Sequence, residues 1–331
     1  NVAIIKPSEQ TPLTTKLLKK VWDDFTFQND LFQPIYGDGK IGEQLVKSSK
    51  TDLICFTGSS KIGKIIAKSC APIFKPIILE LGGKDPMIVL PDADINRTVE
   101  AAVWGGFSNA GQTCISVERI IVHEKIYEQF KNQLSKVIKK ISSGTNDSLI
   151  GAISLDSNME KIRKQINDVR ENSDIIEGKA SEGLFIPPTL IVNPPNDSLI
   201  LKEEIFGPVM TIQPYQSNFD AIEMANSSGY GLSASIFGKN KTDIRYISKY
   251  LNVGTVSIND VLTNYGIAEL PFGGYGLSGI GKVHGIDGLR AFSKQKSYMD
   301  TRIKLKTEIW WYNHREKFSK YLKKWISWFY A

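Results

Sequence analysis

The stretch Phe56-Thr-Gly-Ser-Ser-Lys-Ile-Gly63 decides the fold. It follows the apolar run Leu53–Phe56, which reads as a buried strand, and it opens the helical pattern Ile62–Ser69. A strand that turns through glycine into a helix is half of a parallel βαβ unit. Glycine lets the backbone approach an anion, and a helix N-terminus offers unpaired N–H groups with partial positive charge. An ordinary strand-to-helix turn tolerates the same residues, so phosphate binding stays open on this stretch alone.

The alternation continues on both sides. Val2–Ile5, Pro34–Tyr36, Ile77–Leu79 and Met87–Leu90 read as further strands, the first of them buried, with helices at Thr14–Phe25 and Ile41–Lys47 between them. Helices are expected at Asp94–Ser108, Lys125–Ile141, Asn158–Asn172 and Phe219–Asn226. Strands are expected within Phe185–Val192, where Pro187 and Pro188 interrupt, and at Val209–Gln213, Ala234–Phe237 and Thr255–Asn259. The pattern is α/β throughout, without internal repeats.

Composition narrows the class. The 331 residues exceed what one core usually fills, so more than one lobe is expected. Seven Lys or Arg against two Glu lie between Lys304 and Ala331, and they carry most of the formal +6 charge. The rest is close to neutral, which argues against a nucleic-acid partner. Three cysteines, at 55, 70 and 114, form no CxxC pair, and with three scattered histidines they make a poor metal set. A reducing, intracellular compartment fits best. The chain opens on Asn1 already within a strand pattern, so a truncated product or fragment is expected.

Several stretches have the residue types that chemistry needs. Gly37-Asp-Gly-Lys-Ile-Gly42 matches GxGxxG after a strand, yet no acidic residue follows at the usual distance. It is either a pyrophosphate turn or a tight turn opening a helix. Lys6-Pro-Ser-Glu9 stands at a strand end, where Lys6 and Glu9 either hold ribose hydroxyls or form a solvated cap. Glu80 sits inside the apolar Ile77-Ile-Leu-Glu-Leu-Gly-Gly83, where desolvation raises a carboxyl's pKa toward that of a general base; the alternative is an exposed strand end. Cys114 ends Gly106-Phe-Ser-Asn-Ala-Gly-Gln-Thr-Cys114. It is an inert buried thiol, or a nucleophile if a helix N-terminus or bound cation favours its thiolate.

Taken in order, Lys6–Glu9, Phe56–Ser59 with Gly63, Leu79–Gly83, Gly111–Cys114, Glu203-Glu-Ile-Phe-Gly-Pro208, and Pro271–Gly274 with Ser278-Gly279 resemble the successive motifs of the NAD(P)-dependent aldehyde dehydrogenases. The resemblance runs to about residue 300. The Gln112-Thr-Cys114 form and the aromatic, basic tail are most similar to the fatty aldehyde dehydrogenase branch, particularly its fungal members. It implies an aldehyde-dehydrogenase-like α/β fold, with a partial Rossmann-type cofactor domain over residues 1–82 and an α/β catalytic domain over 83–275. A return segment and oligomerisation strand would follow over 276–303, then the tail over 304–331.

The resemblance further implies that Cys114 attacks an aliphatic, fatty aldehyde to give a thiohemiacetal, and that hydride loss leaves a thioester. Glu80 would activate the hydrolytic water. Lys6 and Glu9 would hold the adenosine ribose, Gly58, Ser59 and Gly63 the pyrophosphate turn, and Glu204 with Phe206 the nicotinamide ribose and ring. A carboxylate at Glu9 favours NAD over NADP, although Lys6 tolerates a 2′-phosphate. The family's oxyanion Asn lies upstream of Lys6-Pro-Ser-Glu9, so a non-catalytic remnant of the same fold is the competing expectation. A homodimer of the full-length protein is also implied.

The tail adds a separate expectation. Phe318, Tyr321, Leu322, Trp325, Ile326 and Phe329 share one helical face, and Lys317, Lys320 and Lys324 lie on the other. Such a helix lies in a membrane interface, or else covers the protein's own surface or a partner subunit. The first alternative places the protein on the cytoplasmic face of the endoplasmic reticulum, the outer mitochondrial membrane or a lipid droplet.

Overall fold

The computed structural model describes every residue except 26–28, 146, 304–305, 309–310, 313–314 and 331. It forms two compact units, Asn1–Ser293 and Lys294–Ala331. Lys304, Trp310 and Ala331, which the sequence reading counts into the tail, lie outside the described residues.

The first unit begins with β1 (Ala3–Ile5), paired in parallel with β2 (Phe32–Pro34) across α1 (Pro12–Phe25). The expectation of a buried strand at Val2–Ile5 needs correction. The strand forms, but Val2 and Ile4 are exposed, because nothing among the described residues covers that face. Asp38 caps α2 (Gly39–Lys47) by accepting from the Lys40 N–H at 2.9 Å. Gly37 has φ +149°, and a Cβ there would press on Ile41 at 2.5 Å, so this glycine serves the tight turn.

Next come β3 (Ile54–Thr57), α3 (Ser60–Cys70) and β4 (Ile77–Glu80), with β3 and β4 parallel. β3 is half-buried rather than buried, since Cys55 and Thr57 face outward. Helix α3 is seated by Gly63, where a Cβ would strike Leu81 at 2.7 Å. A small core of Val46, Ile66, Cys70, Leu79 and Leu81 fills the space beneath it.

The main scaffold is a larger sheet. Its strands are β5 (Asp85–Val89), β6 (Val117–His123), β7 (Asp174–Glu177), β8 (Thr189–Val192), β9 (Val209–Tyr215), β10 (Ser233–Phe237) and β11 (Thr255–Ile258). Among the described residues they run in the order β11-β10-β5-β6-β9-β8-β7, and all neighbours are parallel except β7 on β8. Helices α4 (Ile95–Phe107), α5 (Glu124–Ile138) and α6 (Asp156–Val169) contribute to the core on one face, with Met87, Ile120, Val122 and Ile212. On the other face α7 (Asn218–Asn226) and α8 (Lys241–Tyr250) cover Ile88, Ile121 and Ile236. Burial on both faces is what a parallel sheet requires. The short strand β12 (Gly279–Ile280) returns antiparallel onto β4, pairing Gly279 with Glu80.

The second unit holds α9 (Arg315–Tyr330). On it Trp325 packs on Phe329 at 4.8 Å between ring centres, and Trp328 meets the same ring at 4.9 Å. Tyr321, Leu322, Trp325, Ile326 and Phe329 are all exposed. No described helix is long and apolar enough to cross a membrane.

Candidate active site

The site assembles where β4 leaves the small sheet and the chain enters β5. Glu80 ends β4 with 6% of its surface exposed, and neither carboxylate oxygen has a hydrogen-bond partner among the described residues. Burial raises its pKa to about 7, and the Lys282 ammonium opposes the rise. Lys282 donates to the Gly273 carbonyl and lies 4.6 Å from the centre of the Tyr275 ring. Gly273 itself makes room, since a Cβ there would stand 2.7 Å from Glu80 Oε1.

Beyond Glu80 the chain passes between two other groups. A Cβ on Gly82 would meet the Glu204 carboxylate at 2.4 Å, and one on Gly83 would meet the Cys114 carbonyl oxygen at 2.2 Å. The paired glycines thus allow Glu204, Cys114 and the segment after Glu80 to share one place. The Gly83 N–H donates to Glu204 Oε1 at 3.2 Å. Ser278 fastens the segment from behind, donating to the Gly82 carbonyl at 2.7 Å and accepting from the Gly231 N–H at 3.0 Å.

Cys114 occupies a turn before β6, not a helix N-terminus. Asn109, Ala110 and Gly111 precede it at φ +52°, +57° and +68°, three consecutive left-handed residues. Such backbone persists only where its surroundings fix it. Gly111 packs on the Gly207 carbonyl, 2.1 Å from where a Cβ would be. Gln112 donates to the Ala152 carbonyl at 3.1 Å and accepts from the Ser154 N–H at 2.8 Å. Burial pushes the Cys114 thiol up to about 12, and Asp85, Glu204 and Glu80 add to the rise. This pocket therefore keeps the thiol protonated until positive charge or a base offsets the carboxylates.

Glu204 lies in the loop before β9, with its pKa raised to about 7 by burial and by Glu118. Lys161 donates to its backbone carbonyl at 2.5 Å. Phe206 holds φ +57°, and its carbonyl accepts from Asn158 at 2.9 Å. The N-terminus of α3 is tied to the same region by Ser60, whose Oγ donates at 2.7 Å to the carbonyl of Leu277, the residue before Ser278. Ser59 caps α3, its Oγ accepting from the Ile62 N–H at 3.4 Å, and Gly58 and Ser59 are exposed. Lys6 donates to the Pro7 and Gly37 carbonyls at 2.7 and 3.0 Å and pairs with the exposed Glu9 at 3.6 Å. Gly42 of α2 faces Lys6, and a Cβ added there would stand 3.6 Å from the Lys6 Cε, an ordinary contact. Glycine-rich Gly37–Gly42 thus packs beside Lys6.

The structure brings Cys114, Glu80, Glu204 and Phe206 to one end of β4, β5 and β6. Gly58 and Ser59 form the turn into the neighbouring α3, which carries Gly63, and Lys6 with Glu9 follows β1. Cys55 is exposed on β3 and Cys70 is packed in the small core. Among the described residues no cluster of His, Cys, Asp and Glu could hold a metal. Lys84, Asp85, Glu118 and Arg119 also stand in this region without a sequence motif to mark them, and all four are buried. Their signal was the one that exposed Glu80, namely charges inside apolar strand segments.

Residues 1–298 match the family model described as the aldehyde dehydrogenase family. The 4,4'-diapolycopene aldehyde oxidase of a Methylomonas species is 33% identical over 94% of this chain and 59% of its own length. The 4,4'-diapolycopene-4,4'-dial dehydrogenase of Cytobacillus firmus is 35% identical over 89% of this chain and 65% of its own. The crystal structure of betaine aldehyde dehydrogenase from Staphylococcus aureus with NAD+ superposes with TM-score 0.83 at 35% identity, covering 88% of this chain and 60% of that one. The chain thus spans 59% to 65% of the length of the two curated relatives. These relatives are bacterial, so they carry the family but not the fungal, fatty aldehyde branch that the sequence motifs resembled.

Proposed function

The chain belongs to the aldehyde dehydrogenase family, and we propose that it oxidises an apolar aliphatic aldehyde of the fatty class to the carboxylic acid, with NAD as acceptor. One observation carries the reading. Cys114 and a buried, unpartnered Glu80 of pKa about 7 converge on the same glycine-lined segment.

The residues fit a dinucleotide. The open N-terminus of α3 behind Gly58 and Ser59 suits a pyrophosphate, with Gly63 seating the helix. Lys6 and Glu9 offer a donor and a carboxylate to ribose hydroxyls, and Glu9 favours NAD over NADP. Glu204 and Phe206 would face the nicotinamide end. When bound, NAD supplies the hydride acceptor.

Cys114 gives up its proton and its sulfur adds to the aldehyde carbon, forming the C–S bond of a thiohemiacetal. Glu80, half-ionised near pH 7, is the buried base suited to hold that proton or one from water. After the substrate carbon has lost its hydride, a thioester remains on Cys114. Water then attacks that carbon while Glu80 takes its proton, the C–S bond breaks, and the acid leaves with the thiol regenerated. The exposed aromatic face of α9 supports an apolar substrate delivered from a lipid surface, with its lysines on the opposite face. The family resemblance supports a homodimer, which sedimentation of the full chain tests. The decisive assay is NADH formation by the full-length protein across an aldehyde chain-length series, with Cys114→Ala as control. Absence of NADH with every aldehyde would remove the reading.

A further inference from the structure

A buried ion pair that the mechanism does not use joins the two halves of the site. Glu118, the second residue of β6, receives the Lys84 ammonium on Oε2 at 2.6 Å. Its Oε1 accepts from the N–H of Ile205 at 2.9 Å and of Phe206 at 3.0 Å, and Oε2 takes the Ile205 N–H again at 3.0 Å. The side chains of Lys84 and Glu118 are 0% and 3% exposed. A pair so deeply buried contributes little net stability compared with apolar residues of the same volume. What it does here is geometric.

Lys84 directly follows Gly82 and Gly83, which contact Glu204 and Cys114. Ile205 and Phe206 directly follow Glu204, and Phe206 is held in left-handed backbone. Glu118 thus grips both segments that define where the Glu204 carboxylate and the Phe206 ring stand, from a strand that begins three residues after Cys114. Left-handed backbone at a bulky residue needs such fixing. With the two N–H groups released, the 204–206 loop would relax.

We infer that Glu118 is the positioning residue for the nicotinamide half of the cofactor site, acting through the Glu204–Phe206 loop while leaving the adenosine half at Lys6 and Glu9 untouched. The inference rests on the NAD reading above. It separates the site into halves with different sensitivities, which a general structural role would not.

The test compares binding of NAD with that of 5′-AMP by calorimetry in the full chain. Glu118→Gln keeps one amide oxygen for the Ile205 and Phe206 N–H groups but leaves Lys84 without its counter-charge. Pairing it with Lys84→Met removes that uncompensated charge. Glu118→Ala in the Lys84→Met background removes both grips without stranding the ammonium. We expect this double variant to lose about tenfold or more in NAD affinity, the scale of losing hydrogen bonds to a charged group, with AMP affinity unchanged. Glu118→Gln with Lys84→Met should recover most of the NAD affinity. Equal losses for NAD and AMP, or unchanged NAD affinity in the folded alanine variant, would overturn the inference. Because these are binding measurements, wild type that binds NAD without oxidising aldehydes would refute the proposed reaction and leave the Glu118 result standing. Wild type that binds neither nucleotide would overturn both.

Discussion

Gly83 lies so close to Cys114 that a methyl group in place of its α-hydrogen would stand 2.2 Å from the Cys114 carbonyl oxygen. The neighbour is backbone, which cannot swing aside. Gly83→Ala must therefore displace either the Cys114 turn or the segment leading from Glu80. We predict a loss of about 1–3 kcal/mol in stability, as for other overpacked sites. Turnover should fall further, by about 10²-fold for an ångström of displacement. Thermal melts and single-turnover NADH traces check the two effects, and wild-type rates in the alanine variant would show that this approach does not govern the chemistry.

Cys114→Ala should abolish NADH formation and leave NAD binding largely intact. The sulfur makes the bond to substrate, while Lys6, Glu9 and the α3 terminus are carried on other segments. Cys55→Ala and Cys70→Ala should retain activity. Isothermal titration with NAD beside a rate assay separates the functions, and turnover persisting in the Cys114 variant would assign the nucleophile elsewhere.

Glu80 gives the pH dependence a sign. Its pKa of about 7 means that the base form grows as pH rises through neutrality, so deacylation should accelerate along an acidic limb centred near pH 7. Lys282 opposes the upward shift, so Lys282→Met should move that limb to higher pH, and Lys282→Arg should restore it. Glu80→Gln should show a burst of NADH followed by a slow steady state. An unmoved limb in Lys282→Met would disconnect the two groups.

Stability follows the same carboxyl in the opposite sense. A folded-state pKa above the unfolded value means that the folded protein holds this proton more tightly. That contribution is complete below about pH 4.5 and is lost as pH rises through about 7. Glu80→Gln should therefore melt higher relative to wild type at pH 8 than at pH 5. Scanning calorimetry at the two values tests this; an equal difference at both would place the titration elsewhere.

The tail yields a prediction independent of catalysis. Truncation before α9 should release the full-length protein from vesicles containing anionic lipid. Trp325→Ser with Phe329→Ser should weaken binding while every charge remains. Added salt should weaken wild-type binding by screening the lysines. Flotation assays decide it, and a wild type that never floats with vesicles would leave α9 to cover protein instead.

Much of this could be read in the chain before the structure. The βα alternation, the turn into α3, Glu80 in its apolar run and the ordered motifs all follow from local pattern. What escaped did so for physical reasons. β6, near the centre of the large sheet, was passed over because Glu118 and Arg119 interrupt its apolar run. Those charges are satisfied by Lys84, the 204–206 loop and the end of α7, all distant in sequence. Helix α8 buries only Ile244 and Ile247, too few to mark a face. The supposed burial of Val2–Ile5 failed because apolar character does not supply a covering layer.

The adjacent charges on β6 have one more consequence. Successive strand residues face opposite sides, so Glu118 turns toward the site while Arg119 donates to the Met224 and Ala225 carbonyls at 2.7 and 2.6 Å, where α7 ends. A slip of one residue in one direction would drive the Arg119 guanidinium against the Lys84 ammonium, and a slip in the other would set the Glu118 carboxylate against the electronegative end of a helix. The pair thus acts as a key to alignment, admitting one threading of the strand and rejecting its neighbours by charge. An insertion that shifted this strand by one residue would therefore be opposed by charge, because Glu118 would take the place of Arg119 at the end of α7.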